Sequence, residues 1–167
     1  MGPMTALRPG SQAPEFSLAD IDGRKVDLHH GDELPALLIF FKNTCPTCML
    51  AFPYLQRLFE RVETAALRFL GISQDGVAET RVFGEQYGVT FPLLPDGKDY
   101  PVSSAYGLTN VPTLFLVEGG GGISWTSVGF SKADLEGLAS ELHRRFRIPG
   151  VTPLFVAADD VPEMKPG

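Results

Sequence analysis

At 167 residues, with 44% hydrophobic and 20% charged side chains, the chain has the composition of a soluble globular protein and the length of one domain. Its net charge of −6 and pI near 5.0 argue against a nucleic-acid partner, because nothing concentrates the positive charge needed to neutralise phosphates. No apolar run approaches the ~18 residues that span a bilayer, and no apolar stretch follows Arg8, so neither a membrane span nor a signal peptide is expected; the expected compartment is the cytoplasm.

In chain order, residues 11–29 read as loop and short strands. Pro14, Phe16 and Leu18 alternate, and Asp22-Gly23 forms a turn before Val26 and Leu28. Pro35 opens the run Ala36-Leu37-Leu38-Ile39-Phe40-Phe41, whose length and continuous apolarity suit a strand covered on both faces. A helix is predicted from Pro46, with Met49, Phe52, Leu55, Leu58, Phe59 and Val62 at helical spacing and Pro53 expected to bend it. A second strand follows over 67–73, then a helix from an Asp75 cap to about Tyr87, ended by Gly88.

Phe91 to Leu94 is a short extended piece, and Pro101 to Tyr106 reads as one or two helical turns closed by Gly107. Two further strands, Thr113 to Val117 and Ile123 to Val128, are joined by Glu118-Gly119-Gly120-Gly121-Gly122, so they are antiparallel neighbours. That glycine run precedes a strand and not a helix, so it is a hairpin turn rather than a phosphate cradle. Trp125, in the second of these strands, is expected to pack. The last helix begins at Ser131 with Asp134 in the N3 position of a capping box, and Leu135, Leu138, Ala139, Leu142 and Phe146 form its apolar stripe. From Pro149 a proline-rich tail runs to 167, and its Leu154-Phe155-Val156 is too apolar for a free linker. Residues 151–156 are therefore expected to pack as an extended segment on the body. The whole reads as one α/β domain with a core over about 11–148 and a tail over 149–167: a central mixed sheet flanked by helices, with an N-terminal β extension.

The chain's two cysteines form Cys45-Pro46-Thr47-Cys48. Disulfide exchange needs a thiolate that attacks and a second thiol that releases the resulting mixed disulfide. Cys45 sits where the apolar strand stops and the helix begins, where free backbone N–H groups and the positive end of the helix dipole stabilise a negative sulfur. Pro46 occupies N1, where its missing N–H costs little. Cys48 lies one turn further in and is better shielded, which makes Cys45 the nucleophile and Cys48 the resolver. A zinc half-site would need two more ligands; there is no second Cys pair, and His29, His30 and His143 are the only histidines. Two inert cysteines are the plainer reading, but a C-x-x-C that follows a buried strand and opens a helix is the context of a redox motif.

On these residues the chain resembles the thioredoxin-like redoxins grouped as TlpA-like and AhpC/TSA proteins. The resemblance runs from Gly10 to about Phe146. It rests on Ala13-Pro14-Glu15-Phe16-Ser17-Leu18-Ala19-Asp20, the C-x-x-C, Phe52-Pro53, Gly71-Ile72-Ser73-Gln74-Asp75, Tyr87-Gly88-Val89-Thr90-Phe91-Pro92 and Val111-Pro112-Thr113. It implies a thioredoxin-like fold and thiol–disulfide oxidoreductase activity on protein substrates, without a cofactor or a metal. It also implies that Pro112 is cis and faces the cysteines, while Val111 offers backbone hydrogen bonds to an extended substrate segment. Thr44, in place of the usual Trp before the first cysteine, forms a smaller and more polar rim; Lys42 and Thr47 complete the motif's surroundings. Ala51 replaces a frequent Glu, and Ile39 stands where thioredoxin has a buried Asp, so both usual proton acceptors for the resolving thiol are missing. The expected partners are protein disulfides or dithiols and an unidentified electron donor, with the chain a monomer or weak dimer.

Two rival readings remain. Peroxiredoxins share the opening segment, and Cys45-Pro46-Thr47 resembles their Cys-Pro-Thr, which would make Cys45 peroxidatic and Cys48 resolving. Their P-x-x-x-T-x-x-C loop is not matched, because Lys42 and Leu38 stand where Thr and Pro belong. A copper carrier of the Sco type would need C-x-x-x-C and a downstream His, and no His lies between His30 and His143.

Overall fold

A computed structural model of the protein describes residues 6–62, 64–146 and 153–167. The expected boundary near 148, and residues 151 and 152, lie outside the described residues. In chain order the elements are β1 (Phe16–Ala19), β2 (Lys25–Leu28), β3 (Ala36–Phe41), α1 (Pro46–Arg61), β4 (Arg68–Ser73), α2 (Val77–Gln86) and β5 (Leu93–Pro95). They continue with α3 (Pro101–Ala105), β6 (Thr113–Val117), β7 (Ile123–Val128), β8 (Phe130–Ser131), α4 (Lys132–Phe146), a short 3-10 turn (Ala157–Asp159) and β9 (Met164–Lys165).

Five strands form the central sheet in the order β5-β4-β3-β6-β7. β3 pairs parallel with β4, and β4 with β5; β6 runs antiparallel to both β3 and β7. All six residues of β3 are fully buried, as its uninterrupted apolar run requires. Leu37, Ile39 and Phe41 project into the cluster under α1, α2 and α4. Ala36, Leu38 and Phe40 project into the opposite cluster with Val102 and Tyr106 of the α3 region and Phe16 and Leu28 of the β1–β2 hairpin. That hairpin is the expected N-terminal extension, a separate two-stranded sheet on the second face.

Beneath α1 lies an aromatic group that holds its second turn. Phe52 packs at 4.6 Å from Phe41, 4.8 Å from Phe83 and 6.1 Å from Phe91, centroid to centroid. The helix continues through Pro53 to Arg61. Two helix starts differ in detail from expectation. α2 is capped by Gly76 and not by Asp75, whose carboxylate accepts the Asn43 backbone N–H at 2.6 Å instead. At α4 the Ser131 hydroxyl accepts the Asp134 N–H at 3.1 Å as predicted, while the Asp134 carboxylate accepts from the Ser127 hydroxyl at 2.7 Å.

Leu154 and Phe155 are buried, at 2% and 5% exposure, so this part of the expected packed segment does lie against the body. Phe155 sits 4.4 Å from the Tyr54 ring and 5.9 Å from that of Phe130. Arg57 donates to the Leu154 carbonyl at 2.7 Å and pairs with Asp159 at 3.1 Å. Val156, by contrast, is 47% exposed.

Candidate active site

The site is built where β3 ends and α1 begins. The intervening turn is tied across the sheet edge: Gln74 N–H donates to the Phe41 carbonyl at 3.0 Å, and Asn43 N–H to Asp75. Asp75 is itself held by its own N–H, which donates to the Ser73 hydroxyl at 3.0 Å. Cys45 N–H then donates to the Lys42 carbonyl at 3.2 Å, closing the turn that delivers the sulfur.

Cys45 is the N-cap of α1, with extended backbone (φ −86°, ψ 112°), and Pro46 takes the first helical position. Its Sγ accepts the Cys48 N–H at 3.2 Å, the role a Ser or Asp oxygen plays in ordinary caps. The sulfur therefore receives one of the helix's free donors, and a negative charge there would be stabilised by that bond and by the helix dipole. On its other side the Cys45 thiol donates to the Val111 carbonyl at 3.3 Å. The Val111–Pro112 peptide is cis, as the resemblance implies. Pro112 is buried, and its carbonyl accepts from Gly129 N–H at 2.8 Å, fixing this corner of the site to the turn after β7.

Neither cysteine is in a disulfide. Cys48 is fully buried, in the same apolar cluster as Ile39, Ala51 and Phe52. Burial pushes its thiol far above the ordinary range, reinforced by the hydrogen bond with Cys45 and by the negative charges of Cys45 and Asp75, with a Lys42 backbone hydrogen bond acting the other way. Ala51 is only 2% exposed, so its small side chain does not open a path for solvent to Cys48.

The structure thus brings together Cys45, Cys48, Val111, Pro112 and Thr47. Lys42 and Thr44 are exposed on the rim; Lys42 contributes through its backbone, and no side-chain hydrogen bond joins Thr44 to the site among the described residues. Pro46 is exposed, whereas its neighbour Thr47 is 3% exposed. Its hydroxyl donates to the carbonyl of Pro166 at 2.7 Å, 119 positions along the chain. Sequence reasoning missed two contributors. Asp75, which the sequence offers as a helix cap, instead holds the C-x-x-C turn through the Asn43 N–H, a place that depends on the parallel pairing of β3 with β4. The approach of 163–167 carries no local signal, since β9 is two exposed residues.

The AhpC/TSA family model matches residues 9–126. The thiol-disulfide oxidoreductase ResA of Geobacillus thermodenitrificans (strain NG80-2) is 31% identical over 137 residues, which cover 79% of this chain and 76% of that protein. The thioredoxin-like protein YneN of Bacillus subtilis (strain 168) is 27% identical over 135 residues, 78% of each chain. Among solved structures, the thioredoxin domain of a thiol-disulfide oxidoreductase from Bacteroides vulgatus superposes with a TM-score of 0.72 at 22% identity, covering 81% of this chain and 98% of that one. A thiol:disulfide interchange protein of the thioredoxin family from Chlorobium tepidum TLS gives 0.67 at 23% identity, covering 83% and 99%. With a mixed five-stranded sheet, a C-x-x-C capping the first long helix and a cis Val111–Pro112 peptide whose Val111 carbonyl meets Cys45, this chain has the thioredoxin-like fold and belongs to the AhpC/TSA family.

Proposed function

We propose that Cys45 and Cys48 exchange disulfides with other proteins, Cys45 as the attacking sulfur and Cys48 as the releasing one. The chain is a thiol–disulfide oxidoreductase, and its substrates are proteins. In the reducing direction the Cys45 thiolate attacks one sulfur of a substrate disulfide, and the other sulfur leaves as a thiolate. Cys48 then loses its proton and attacks the Cys45 sulfur of the mixed disulfide. A Cys45–Cys48 disulfide forms, the substrate departs with both sulfurs reduced, and two electrons have passed from the protein to its substrate. The oxidising direction is the same sequence reversed.

The observation that carries this assignment is the unequal setting of the two sulfurs. Cys45 caps α1, accepts a helix N–H and faces the Val111 carbonyl, while Cys48 is fully buried behind it. Only the outer sulfur can meet a partner's disulfide. The Val111 backbone beside it supports recognition of an extended segment by strand addition.

Insulin reduction driven by dithiothreitol tests the proposal. Wild type is expected to accelerate precipitation of the insulin B chain, and Cys45→Ser to fall to the uncatalysed background; equal turnover by the two proteins would refute the assignment. Hydrogen peroxide in place of insulin separates the peroxidase reading, which predicts rapid stoichiometric consumption of peroxide by the dithiol form.

A further inference from the structure

The groove beside Cys45 is already occupied by a strand of the same chain. Met164 and Lys165 pair antiparallel with Ser131 and Phe130, and Lys132 N–H donates to the Glu163 carbonyl at 2.9 Å. The next carbonyl contact is to the C-x-x-C itself, from the Thr47 hydroxyl to Pro166 at 2.7 Å. Asn110 donates to the Gly167 carbonyl at 3.0 Å, and Gly167 lies so close to Val111 that a Cβ added there would overlap the Val111 carbonyl. That carbonyl is the one to which the Cys45 thiol donates. A second glycine completes the fit: Gly129, at φ +76°, would place a Cβ 2.8 Å from the Lys165 carbonyl.

We propose that residues 163–167 act as a built-in competitor for the substrate-binding groove, a strand that an incoming protein segment must displace to reach Cys45. The inference rests on the exchange activity proposed above and names the partner's chemistry. The displacing segment is extended, pairs its backbone with the Phe130–Ser131 edge, and carries glycine or another small residue where it crosses Val111.

The way this strand is held suits it to displacement. Met164 is 72% exposed and its neighbours from 162 to 167 are all exposed, so 163–167 is retained by backbone bonds, the Thr47 and Asn110 contacts, and a Lys132–Glu163 ion pair at 3.6 Å. The preceding part, by contrast, is anchored by the buried Leu154 and Phe155 and by Arg57. Released from the groove, the strand stays tethered a few residues from it, where its effective concentration stays high and it rebinds when the partner leaves. A competitor of this kind raises the apparent KM for protein substrates and leaves kcat alone, by the fraction of molecules in which the groove is closed.

Two variants at exposed positions test this in the full chain: Gly167→Val, which cannot lie against Val111, and Lys165→Pro, which removes a backbone donor from the strand. Both are expected to lower the KM for insulin about threefold or more at unchanged kcat. Both are also expected to speed alkylation of Cys45 by a bulky maleimide, and to lose hydrogen-exchange protection at Lys132 N–H. An unchanged or raised KM would overturn the proposal, a raised one because it would make the strand part of the substrate site. Should wild type not reduce insulin at all, the exchange activity fails independently. The occupancy of the groove is then judged by the maleimide rate alone, and an equal rate in wild type and variants refutes it.

Discussion

Cys45 and Cys48 stand one helical turn apart, yet they belong to different regions of the molecule. The hydrogen bonds around Cys45 all involve backbone groups: the Cys48 N–H and the Lys42 and Val111 carbonyls, with the strand 163–167 beside them on Thr47. The floor around Cys48 is made of side chains, with Ile39, Ala51 and Phe52 all at 2% exposure or less. The contrast separates two tasks. Backbone groups can steady a thiolate and pair with a partner's chain, whereas an apolar floor keeps the second thiol protonated and out of reach. In the exchange cycle proposed above, the same floor sets the difficulty, because Cys48 must lose a proton where ionisation is disfavoured.

Removing the floor's sulfur tests the division most severely. Cys48→Ala leaves Cys45 able to attack and nothing to release the product, so insulin turnover falls to background while a Cys45 mixed disulfide accumulates. Mass spectrometry of the quenched reaction detects it, and failure to find it would mean that Cys45 is not the attacking sulfur.

The next effect is on pH. Burial raises the Cys48 pKa, so at neutral pH the thiol is protonated and its thiolate fraction grows with pH. Release of a preformed mixed disulfide is therefore expected to quicken by about tenfold per pH unit from 7 to 9, as simple titration of one thiol requires. Ala51→Glu supplies a proton acceptor on the floor and is expected to speed release at pH 7, with the gain fading toward pH 9. Because Ala51 is packed against the core, the same change should cost about 1–3 kcal/mol of stability in denaturant unfolding. A release rate that is flat with pH in both proteins would show that proton removal is not limiting.

The smallest expected effect belongs to Asp75, whose negative charge raises the Cys48 pKa but is the least of its causes. Asp75→Asn should lower that pKa slightly and speed release at pH 7 by less than about tenfold, the equivalent of one pKa unit. Slower release would instead identify Asp75 as the acceptor of the Cys48 proton, standing in for the acids absent at Ile39 and Ala51.

Much of the fold was legible because local chemistry and tertiary role agree. The β3 run has no polar residue to leave exposed, so it could only be a central strand, and it spans Ala36–Phe41 as read. Pro46 after Cys45 marks a helix start whatever the surroundings, and β6 and β7 also span their predicted residues. Gly88 and Gly107, at φ +63° and +67°, end their helices because only glycine adopts that backbone at no cost.

By itself, then, the sequence determined the order and type of the main elements, the redox pair and which sulfur faces outward. Each follows from contacts within a few residues: apolar runs, caps and the C-x-x-C at a strand–helix junction. Tertiary structure decided what depends on residues far apart in the chain. It turned the Asp75 carboxylate to Asn43 rather than to its own helix, because parallel pairing of β3 and β4 sets the two loops side by side. It buried Ala51 in the floor beside Cys48, where its small side chain leaves no opening to solvent. It laid 163–167 along the groove, a placement secured mostly by backbone hydrogen bonds. Every residue carries the same backbone donors and acceptors, so a strand held by them leaves almost no trace in side-chain pattern.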